Sequence, residues 1–154
     1  GGLVRGWVRG GVIGGREGLQ GDIAEIIGRA ESRTRDNDRL NLTIAFNYGG
    51  QDEIARAARR AAAEVAAGRL KPEEIDVARF ERFLDCPELP APDLLIRTSG
   101  ETRLSNFMLW QAAYSELVFA DVLWPDFGRE ALEQAISAYH RRERRFGGAD
   151  PAAT

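Results

Sequence analysis

The run Asp93–Glu116 constrains what this chain can fold into more than any other stretch, and it reads DLLIRTSGETRLSNFMLWQAAYSE. It passes from an apolar segment through a polar turn to an amphipathic segment. Leu94–Arg97 is short and apolar until its last residue, which is typical of a strand buried on both faces of a parallel sheet. Such a strand needs neighbouring strands and covering helices, so the run predicts an α/β fold.

Strand-like and helix-like segments alternate along the rest of the chain. The clearest strand signal is an alternation that places four apolar residues on one side, namely Leu40, Leu42, Ile44 and Phe46. The predicted elements are a strand ending at Ile13, a helix over Gly21–Ser32, a strand over Leu40–Asn47, a helix over Gln51–Ala67, a short helix over Val77–Leu84, a strand over Leu94–Arg97, a helix over Asn106–Ser115 and a helix over Arg129–Arg142. We therefore expect a mostly parallel sheet flanked by helices.

Helical spacing also predicts which side chains of two helices face inward. They are Ile54, Ala57, Ala58, Ala61 and Val65 in one helix and Leu132, Ala135, Ile136 and Tyr139 in the last helix. Trp110 and Trp124 are large and apolar, and we expect both in the core.

The composition is that of an ordinary globular protein, and it excludes several classes. Of the 154 residues, 44% are hydrophobic and 29% are charged, and the net charge of −3 gives no bulk attraction for nucleic acid. Cys86 is the only cysteine, which excludes an internal disulfide and is compatible with a reducing cytoplasm. No apolar run is long enough to span a bilayer, and the first residues do not resemble a signal peptide.

The polar turn of the central run collects groups that bind phosphate. Arg97 ends the apolar strand, and ligands of open α/β sheets bind at the carboxyl ends of strands. Arg103 and Ser105 follow at a spacing that lets the loop fold back on the same place. Arginine makes paired hydrogen bonds to phosphate oxygens, and the backbone amides of Ser99-Gly100 can approach an anion. The turn therefore predicts a diphosphate site.

A carboxylate near bound phosphate usually serves a hard cation, and Mg²⁺ takes one or two carboxylates together with phosphate oxygens. Glu116 is the candidate for that role. An alternative explanation of the same residues is a solvated cluster of surface ion pairs, which the spacing alone favours. The pairs in that alternative are Arg97–Glu101 and Arg103–Glu116.

Three segments carry a more specific pattern: LNLTIAFNYGGQDEI, DLLIRTSGETRLSNFMLWQAAYSELVFADVLWPDF and RRERRFGG. Together they resemble the C-terminal half of a bacterial cis-prenyltransferase, one of the isoprenyl transferases that include undecaprenyl diphosphate synthase. The resemblance extends from Val8 to Gly148. It reverses the preference for a plain ion-pair cluster, because the run from Arg97 to Phe107 matches the family's motif closely.

The resemblance implies a reaction and a set of residue roles. Members of the family join isopentenyl diphosphate to an allylic diphosphate, such as farnesyl diphosphate, with Mg²⁺ as the cofactor. By this resemblance, Arg97, Arg103 and Ser105 bind the diphosphate of isopentenyl diphosphate. Glu116 is implied as the metal ligand, and Glu101 is implied as a catalytic residue that organises the loop.

The resemblance also implies partners and a location. The family is typically homodimeric, and its C-terminal Arg-x-Gly motif, here Arg145 and Gly147, is implied to reach the partner subunit's diphosphate site. A cytoplasmic location follows, with a peripheral membrane contact through the product. Nucleic acid is not an expected partner.

Departures from the family pattern predict a partial protein. The N-terminal motif that binds Mg²⁺ and the allylic diphosphate has no counterpart, and Ile13-Gly14-Gly15 stands where relatives have Ile-Gly-Asp. We expect a partial cis-prenyltransferase domain over residues 1–148 and a tail over residues 149–154. We expect this chain alone to be inactive or nearly so. The alternatives are a non-catalytic accessory subunit of a prenyltransferase complex and a plain anion-binding module.

Overall fold

The computed structural model describes residues 7–16 and 21–142, and the expected boundary at residue 148 lies outside them. The chain divides into two compact units, Gly1–Leu89 and Pro90–Thr154, here called unit 1 and unit 2. The described part of each unit contains one pair of parallel strands. Helices accompany the strands in both units, which confirms the predicted α/β class. Among the described residues, no helix is long and apolar enough to cross a bilayer.

Within its described residues, unit 1 contains two strands and three α-helices. They are β1 (Val8–Ile13), α1 (Gly21–Thr34), β2 (Leu40–Ala45), α2 (Gly50–Ala66) and α3 (Val77–Glu81). The strands pair in register from Val8 opposite Leu40 to Ile13 opposite Ala45. Asp76 caps the start of α3, because its side chain accepts a hydrogen bond of 2.7 Å from the Arg79 amide.

The outer edge of β1 is bound by side chains of α1. The Gly10 amide donates to Thr34 Oγ1 at 3.0 Å, and the Val12 amide donates to Glu31 Oε1 at 3.2 Å. Thr34 in turn donates to the Ala30 carbonyl, which fixes its hydroxyl at the end of α1. The helix thus supplies acceptors for strand amides that would otherwise be unpaired.

Unit 2 contains β3 (Leu94–Arg97), β4 (Glu116–Phe119) and α4 (Arg129–His140). The strands are parallel, with Leu94 opposite Glu116 and Arg97 opposite Phe119. The predicted helix over Asn106–Ser115 is wrong. Only a 3₁₀ turn, Gln111–Tyr114, forms there.

Backbone conformation explains the missing helix. Ser105, Asn106 and Met108 have positive φ values of 50°, 63° and 46°. An α-helix needs negative φ at every residue, so it cannot include these positions. The segment is amphipathic in sequence, but these positive φ values prevent it from forming a helix.

Three expectations about the core also fail. In α2 the buried residues are Gly50, Glu53, Ala57 and Ala61, so a carboxylate lies on the buried stripe and Ala58 does not. In α4 only Ala135 is buried, whereas Leu132 and Ile136 are exposed. Trp124 is 72% exposed, although its ring stacks on Phe127 at 5.9 Å between centroids.

Gly14, at the end of β1, has a backbone conformation and a close contact that only glycine accommodates. Its φ is +115°, and a Cβ there would lie 2.1 Å from the Phe46 carbonyl oxygen. We expect Gly14→Ala to lower the free energy of unfolding by about 2 kcal/mol or more, because the residue is both strained and overlapped. Urea unfolding followed by circular dichroism measures this change.

Gly28→Ala is the matched control, because Gly28 lies inside α1 and a Cβ there meets nothing within 4 Å. Alanine favours a helix over glycine by roughly 0.5–1 kcal/mol, so this variant should be more stable than the parent chain. Equal stability of the two variants would contradict the role assigned to Gly14.

Candidate functional site

Arg97 lies at the carboxyl end of β3, where the sequence predicted a ligand site. Its carbonyl accepts a hydrogen bond of 2.8 Å from the Ala120 amide, so the backbone is held by the strand pair. Its Nε atom is buried, and it has no hydrogen-bond partner in the part of the chain that the structure describes. A buried cationic donor without an acceptor is costly, and an anionic ligand would satisfy it.

The amides of Ser99 and Gly100 do not serve the site as predicted. The Ser99 amide donates to the Val122 carbonyl at 2.9 Å, and the Gly100 amide donates to the Ala120 carbonyl at 3.1 Å. Both amides are already hydrogen-bonded, because the residues that follow β3 pair with the residues that follow β4. These two amides are therefore not available to an anion bound at this place.

Several non-glycine residues of the loop after β3 have unusual backbone conformations. Ser99 has a φ of 69°, and Ser105, Asn106 and Met108 are also positive. Non-glycine residues adopt such angles uncommonly, and they cluster at ligand sites where the surrounding structure holds them. Ser105, the predicted neutral donor, is exposed within this loop.

Arg103 and Glu101 form an ion pair with each other in this loop. The pairs of the alternative explanation, Arg97–Glu101 and Arg103–Glu116, therefore do not form. Glu101 is two residues from Arg103 and lies in the same loop, whereas twelve residues separate Arg103 from Glu116. Glu101 thus holds the guanidinium of Arg103 in place.

Glu116 lies at the opposite end of the strand pair from Arg97. The register places it beside Leu94, three residues before Arg97, which corresponds to about 10 Å along the strand. One of its oxygens, Oε2, accepts from Arg142 Nη1 at 3.1 Å, and the same Nη1 donates to the Leu117 carbonyl at 2.6 Å. The strand pair does not gather Glu116 and Arg97 at one point.

Glu116 fits a magnesium site whose other ligands are phosphate oxygens and water, rather than a site made of protein ligands alone. No group of three or more His, Cys, Asp or Glu side chains suited to a metal occurs within residues 7–16 and 21–142. The Oε1 atom of Glu116 has no hydrogen-bond partner among those residues, and a carboxylate oxygen is a suitable ligand for Mg²⁺. The remaining ligands would have to come from phosphate oxygens and water. Arg145 and Gly147, the predicted partner-site contacts, lie outside the described residues.

A second cluster of charged residues, in unit 1, was not predicted. Glu53 is fully buried, and its carboxylate accepts from the Tyr48 hydroxyl at 2.6 Å and from the Asp85 amide at 2.8 Å. The carboxylate thus joins the segment before α2 to the segment after α3. The available signal was the spacing of Glu53 from Ala57, which puts both residues on one helical stripe.

Asp85 extends this cluster to the end of β1. Arg56 donates two hydrogen bonds to its carboxylate, at 2.8 and 2.9 Å, and the Gly14 amide donates a third at 3.2 Å. Burial alone would raise the pKa of Asp85, but the hydrogen bonds and charge of Arg56 outweigh it and hold the pKa below its usual value. The same contacts raise the pKa of Arg56.

A cavity of about 920 Å³ lies against this cluster in unit 1. Its lining includes Gly14, Arg56, Arg59, Asp85 and Cys86. Burial, followed by the charges of nearby carboxylates, raises the pKa of the Cys86 thiol to about 11, so the thiol stays protonated at neutral pH. The cluster fixes the shape of one wall of this cavity.

The family described as putative undecaprenyl diphosphate synthase matches residues 3–147 of this chain. Isoprenyl transferase 2 of Bradyrhizobium diazoefficiens is 58% identical over 137 residues, which are 89% of this chain and 54% of that protein. The isoprenyl transferase of Caulobacter vibrioides is 53% identical over 146 residues, covering 95% of this chain and 56% of that protein. The chain therefore belongs to this family, and the resemblance to cis-prenyltransferases is confirmed. It spans just over half the length of these relatives.

Two solved structures share the fold. A lavandulyl diphosphate synthase from Lavandula x intermedia, in complex with dimethylallyl diphosphate, superposes with a TM-score of 0.86 at 40% identity over 92% of this chain and 61% of that chain. A probable undecaprenyl diphosphate synthase from Campylobacter jejuni gives a TM-score of 0.78 at 35% identity, over 92% of this chain and 64% of that chain. These matches confirm the α/β fold.

The lowered pKa of Asp85 predicts acid sensitivity of unit 1. A group with a depressed folded pKa stabilises the fold above its unfolded pKa, near 3.9, and loses that contribution as pH falls through the folded value. We expect the free energy of unfolding to drop as pH falls below about 4. The Asp85→Asn variant should lose less of its free energy of unfolding as the pH falls below about 4. At pH 7 its free energy of unfolding should be lower than that of the parent chain by about 2 kcal/mol.

Urea unfolding at several pH values, followed by tryptophan fluorescence and circular dichroism, measures both effects. The matched control is Glu64→Gln, because Glu64 forms an exposed ion pair with Arg69 and its loss should matter much less. An unchanged acid transition in Asp85→Asn would show that Asp85 does not carry the pH dependence.

Proposed function

We propose that this chain forms the isopentenyl diphosphate part of a cis-prenyltransferase. The reaction joins isopentenyl diphosphate to an allylic diphosphate such as farnesyl diphosphate, and it yields a longer polyprenyl diphosphate. The observation that carries the proposal is the buried Nε of Arg97, which lies at a strand end in a member of this family and lacks an acceptor among the described residues. A diphosphate oxygen supplies such an acceptor.

The side chains after β3 have separate roles in this proposal. Arg97 and Arg103 bind the diphosphate of isopentenyl diphosphate, and the exposed hydroxyl of Ser105 donates to one of its oxygens. Glu101 holds Arg103 through their ion pair, so the second guanidinium is oriented before substrate arrives. With this diphosphate fixed, the double bond of isopentenyl diphosphate attacks the allylic carbon, and the allylic C–O bond breaks so that diphosphate leaves with the bonding electrons. A proton then passes from the isopentenyl unit to solvent, and the new double bond forms.

We propose Mg²⁺ as the cofactor and Glu116 as one of its ligands. The Oε1 atom of Glu116 has no hydrogen-bond partner among the described residues, which supports this role, since Mg²⁺ is commonly bound by one carboxylate with phosphates and water. When bound, the cation stabilises the negative charge that develops on a departing diphosphate. Because Glu116 and Arg97 lie at opposite ends of the strand pair, the metal and diphosphate assignments need separate tests.

We also propose that the protein is a cytoplasmic homodimer and that it contacts the membrane peripherally through its product. The exposed rings of Tyr114 and Trp124 support an association surface on unit 2, because large aromatic side chains are enriched at protein interfaces. Arg145 and Gly147 are proposed to contact the partner's diphosphate. The isolated chain is proposed to be inactive or nearly so, because it matches only part of its relatives.

Isothermal titration of the chain with isopentenyl diphosphate tests the diphosphate site. We expect Arg97→Ala and Arg103→Ala each to weaken binding by about tenfold or more, since each removes charge-assisted hydrogen bonds. Arg129→Ala is the matched control, because Arg129 is an exposed arginine at the start of α4 whose ion pair is with Glu133. Binding that is unchanged in Arg97→Ala and Arg103→Ala would favour a plain structural module.

A turnover assay with farnesyl diphosphate and Mg²⁺ accompanies the titration. Robust chain elongation by the isolated 154 residues would overturn the proposed inactivity without affecting the proposed diphosphate site. Co-purification of a longer prenyltransferase chain, with no diphosphate binding by this one, would favour an accessory subunit.

Electron paramagnetic resonance of Mn²⁺, used in place of Mg²⁺, tests the metal assignment. We expect Glu116→Gln to weaken Mn²⁺ binding several-fold in the presence of isopentenyl diphosphate, because an amide is a poorer ligand than a carboxylate. Glu130→Gln is the control, since Glu130 lies exposed in the first turn of α4. Equal Mn²⁺ affinity of Glu116→Gln and the parent chain would remove Glu116 from the metal site.

A further inference from the structure

Arg142 contacts β4 at the place where Glu116 lies. Its Nη1 atom donates to Glu116 Oε2 at 3.1 Å and to the Leu117 carbonyl at 2.6 Å. One nitrogen therefore bridges a carboxylate and the backbone of the next strand residue. The backbone contact fixes the nitrogen, and the nitrogen in turn fixes one oxygen of the carboxylate. The magnesium role proposed for Glu116 leaves Arg142 without a function.

The backbones of both partners are held by separate hydrogen bonds. The Arg142 amide donates to the Tyr139 carbonyl at 3.1 Å, at the end of α4. The Glu116 amide donates to the Asp93 carbonyl at 2.9 Å, at the start of the β3–β4 pair. The ion pair therefore joins the end of α4 to the first residue of β4. An ion pair between residues with fixed backbones is better defined than one between two mobile surface side chains.

The contact leaves one oxygen of Glu116 for a further ligand. Arg142 occupies Oε2, whereas Oε1 has no hydrogen-bond partner among the described residues. A magnesium ion at Glu116 would therefore be bound through Oε1 alone, without chelation by both oxygens. The Glu116 side chain is 25% exposed, so a ligand can still reach it from solvent.

The charge of Arg142 affects which form of the metal Glu116 attracts. Two opposite unit charges in contact have little net field at a distance, so the ion pair attracts a free cation only weakly. A diphosphate ester carries more negative charge at neutral pH than one Mg²⁺ ion neutralises, so the complex of the two is anionic. The guanidinium attracts this complex, whereas a lone carboxylate would repel it and would favour the free cation.

We propose that Arg142 is a positioning residue that makes Glu116 a ligand for magnesium already bound to diphosphate, rather than for the free cation. It holds Oε2, leaves Oε1 for the metal, and neutralises the charge that would otherwise repel the anionic complex. The inference rests on the proposed metal role of Glu116, to which it adds a second residue and a preference. Arg142 acts through Glu116 and does not itself bind the metal.

Two titrations of the 154-residue chain test the inference. Electron paramagnetic resonance measures the binding of free Mn²⁺ without diphosphate. Isothermal titration measures the binding of isopentenyl diphosphate, once with EDTA and once with saturating Mg²⁺. We expect Arg142→Ala to bind free Mn²⁺ several-fold more tightly, because the adjacent cation is gone.

We expect the second titration to change in the opposite direction. In Arg142→Ala, the gain in diphosphate affinity that Mg²⁺ provides should fall several-fold, because the unpaired carboxylate repels the anionic complex. A loss of folding would weaken both kinds of binding, so the opposite changes distinguish a positioning role from a structural one.

Arg141→Ala is the matched control, because Arg141 is the neighbouring exposed arginine and its backbone amide bonds to the Ser137 carbonyl. It should leave both titrations unchanged. Arg142→Lys keeps the positive charge and should restore part of the parent behaviour. In a Glu116→Gln background, Arg142→Ala should have no further effect, because the carboxylate through which it acts is absent.

Unchanged titrations in Arg142→Ala would overturn the inference and leave a plain surface ion pair. A parallel loss in both titrations would also overturn it, since Arg142 would then act only on the stability of β4. In either case, loss of the Mg²⁺ gain in Glu116→Gln would leave the proposed metal site standing. No Mg²⁺ gain in the parent chain, or an unchanged gain in Glu116→Gln, would overturn the metal proposal itself and the inference with it.

Discussion

Parallel pairing of short strands is the constraint on which the rest of this structure depends. The strands of each pair point the same way, so their carboxyl ends meet at one edge and the chain must turn away there. Three strands are followed within two residues by positive φ values, at Gly14, Asn47 and Ser99. These sharp turns free the space beside the strand ends. The unit 1 cavity and Arg97 both occupy such positions.

The charged side chains of unit 1 have hydrogen-bond partners within the protein, and this distinguishes them from the charged side chain at the candidate site. In unit 1, Glu53 and Asp85 have acceptor oxygens filled by Tyr48, Arg56 and backbone amides. Such a network stabilises a single arrangement of the segments that it joins. In unit 2, the buried Nε of Arg97 lacks an acceptor within the described part of the chain. The first arrangement is complete by itself, whereas the second leaves a buried donor that we propose a ligand satisfies.

Local patterns explain how much could be predicted from the sequence. The alternation over Leu40–Asn47 predicted β2 correctly, because strand periodicity is a property of consecutive residues. The same reasoning predicted a helix over Asn106–Ser115, where positive φ values at the loop prevent one. It also missed Glu53, since a carboxylate becomes a core residue only when distant groups such as the Asp85 amide reach it.

The sequence by itself determined the family, the α/β class and the inventory of candidate phosphate-binding side chains, because motifs and periodicity are encoded by neighbouring residues. Only the tertiary structure decided which charges meet. Arg103 pairs with Glu101 and Glu116 pairs with Arg142, and the β3–β4 register separates Glu116 from Arg97. The physical reason is that strand register and ion pairing depend on contacts between residues far apart in the chain, which no local pattern specifies.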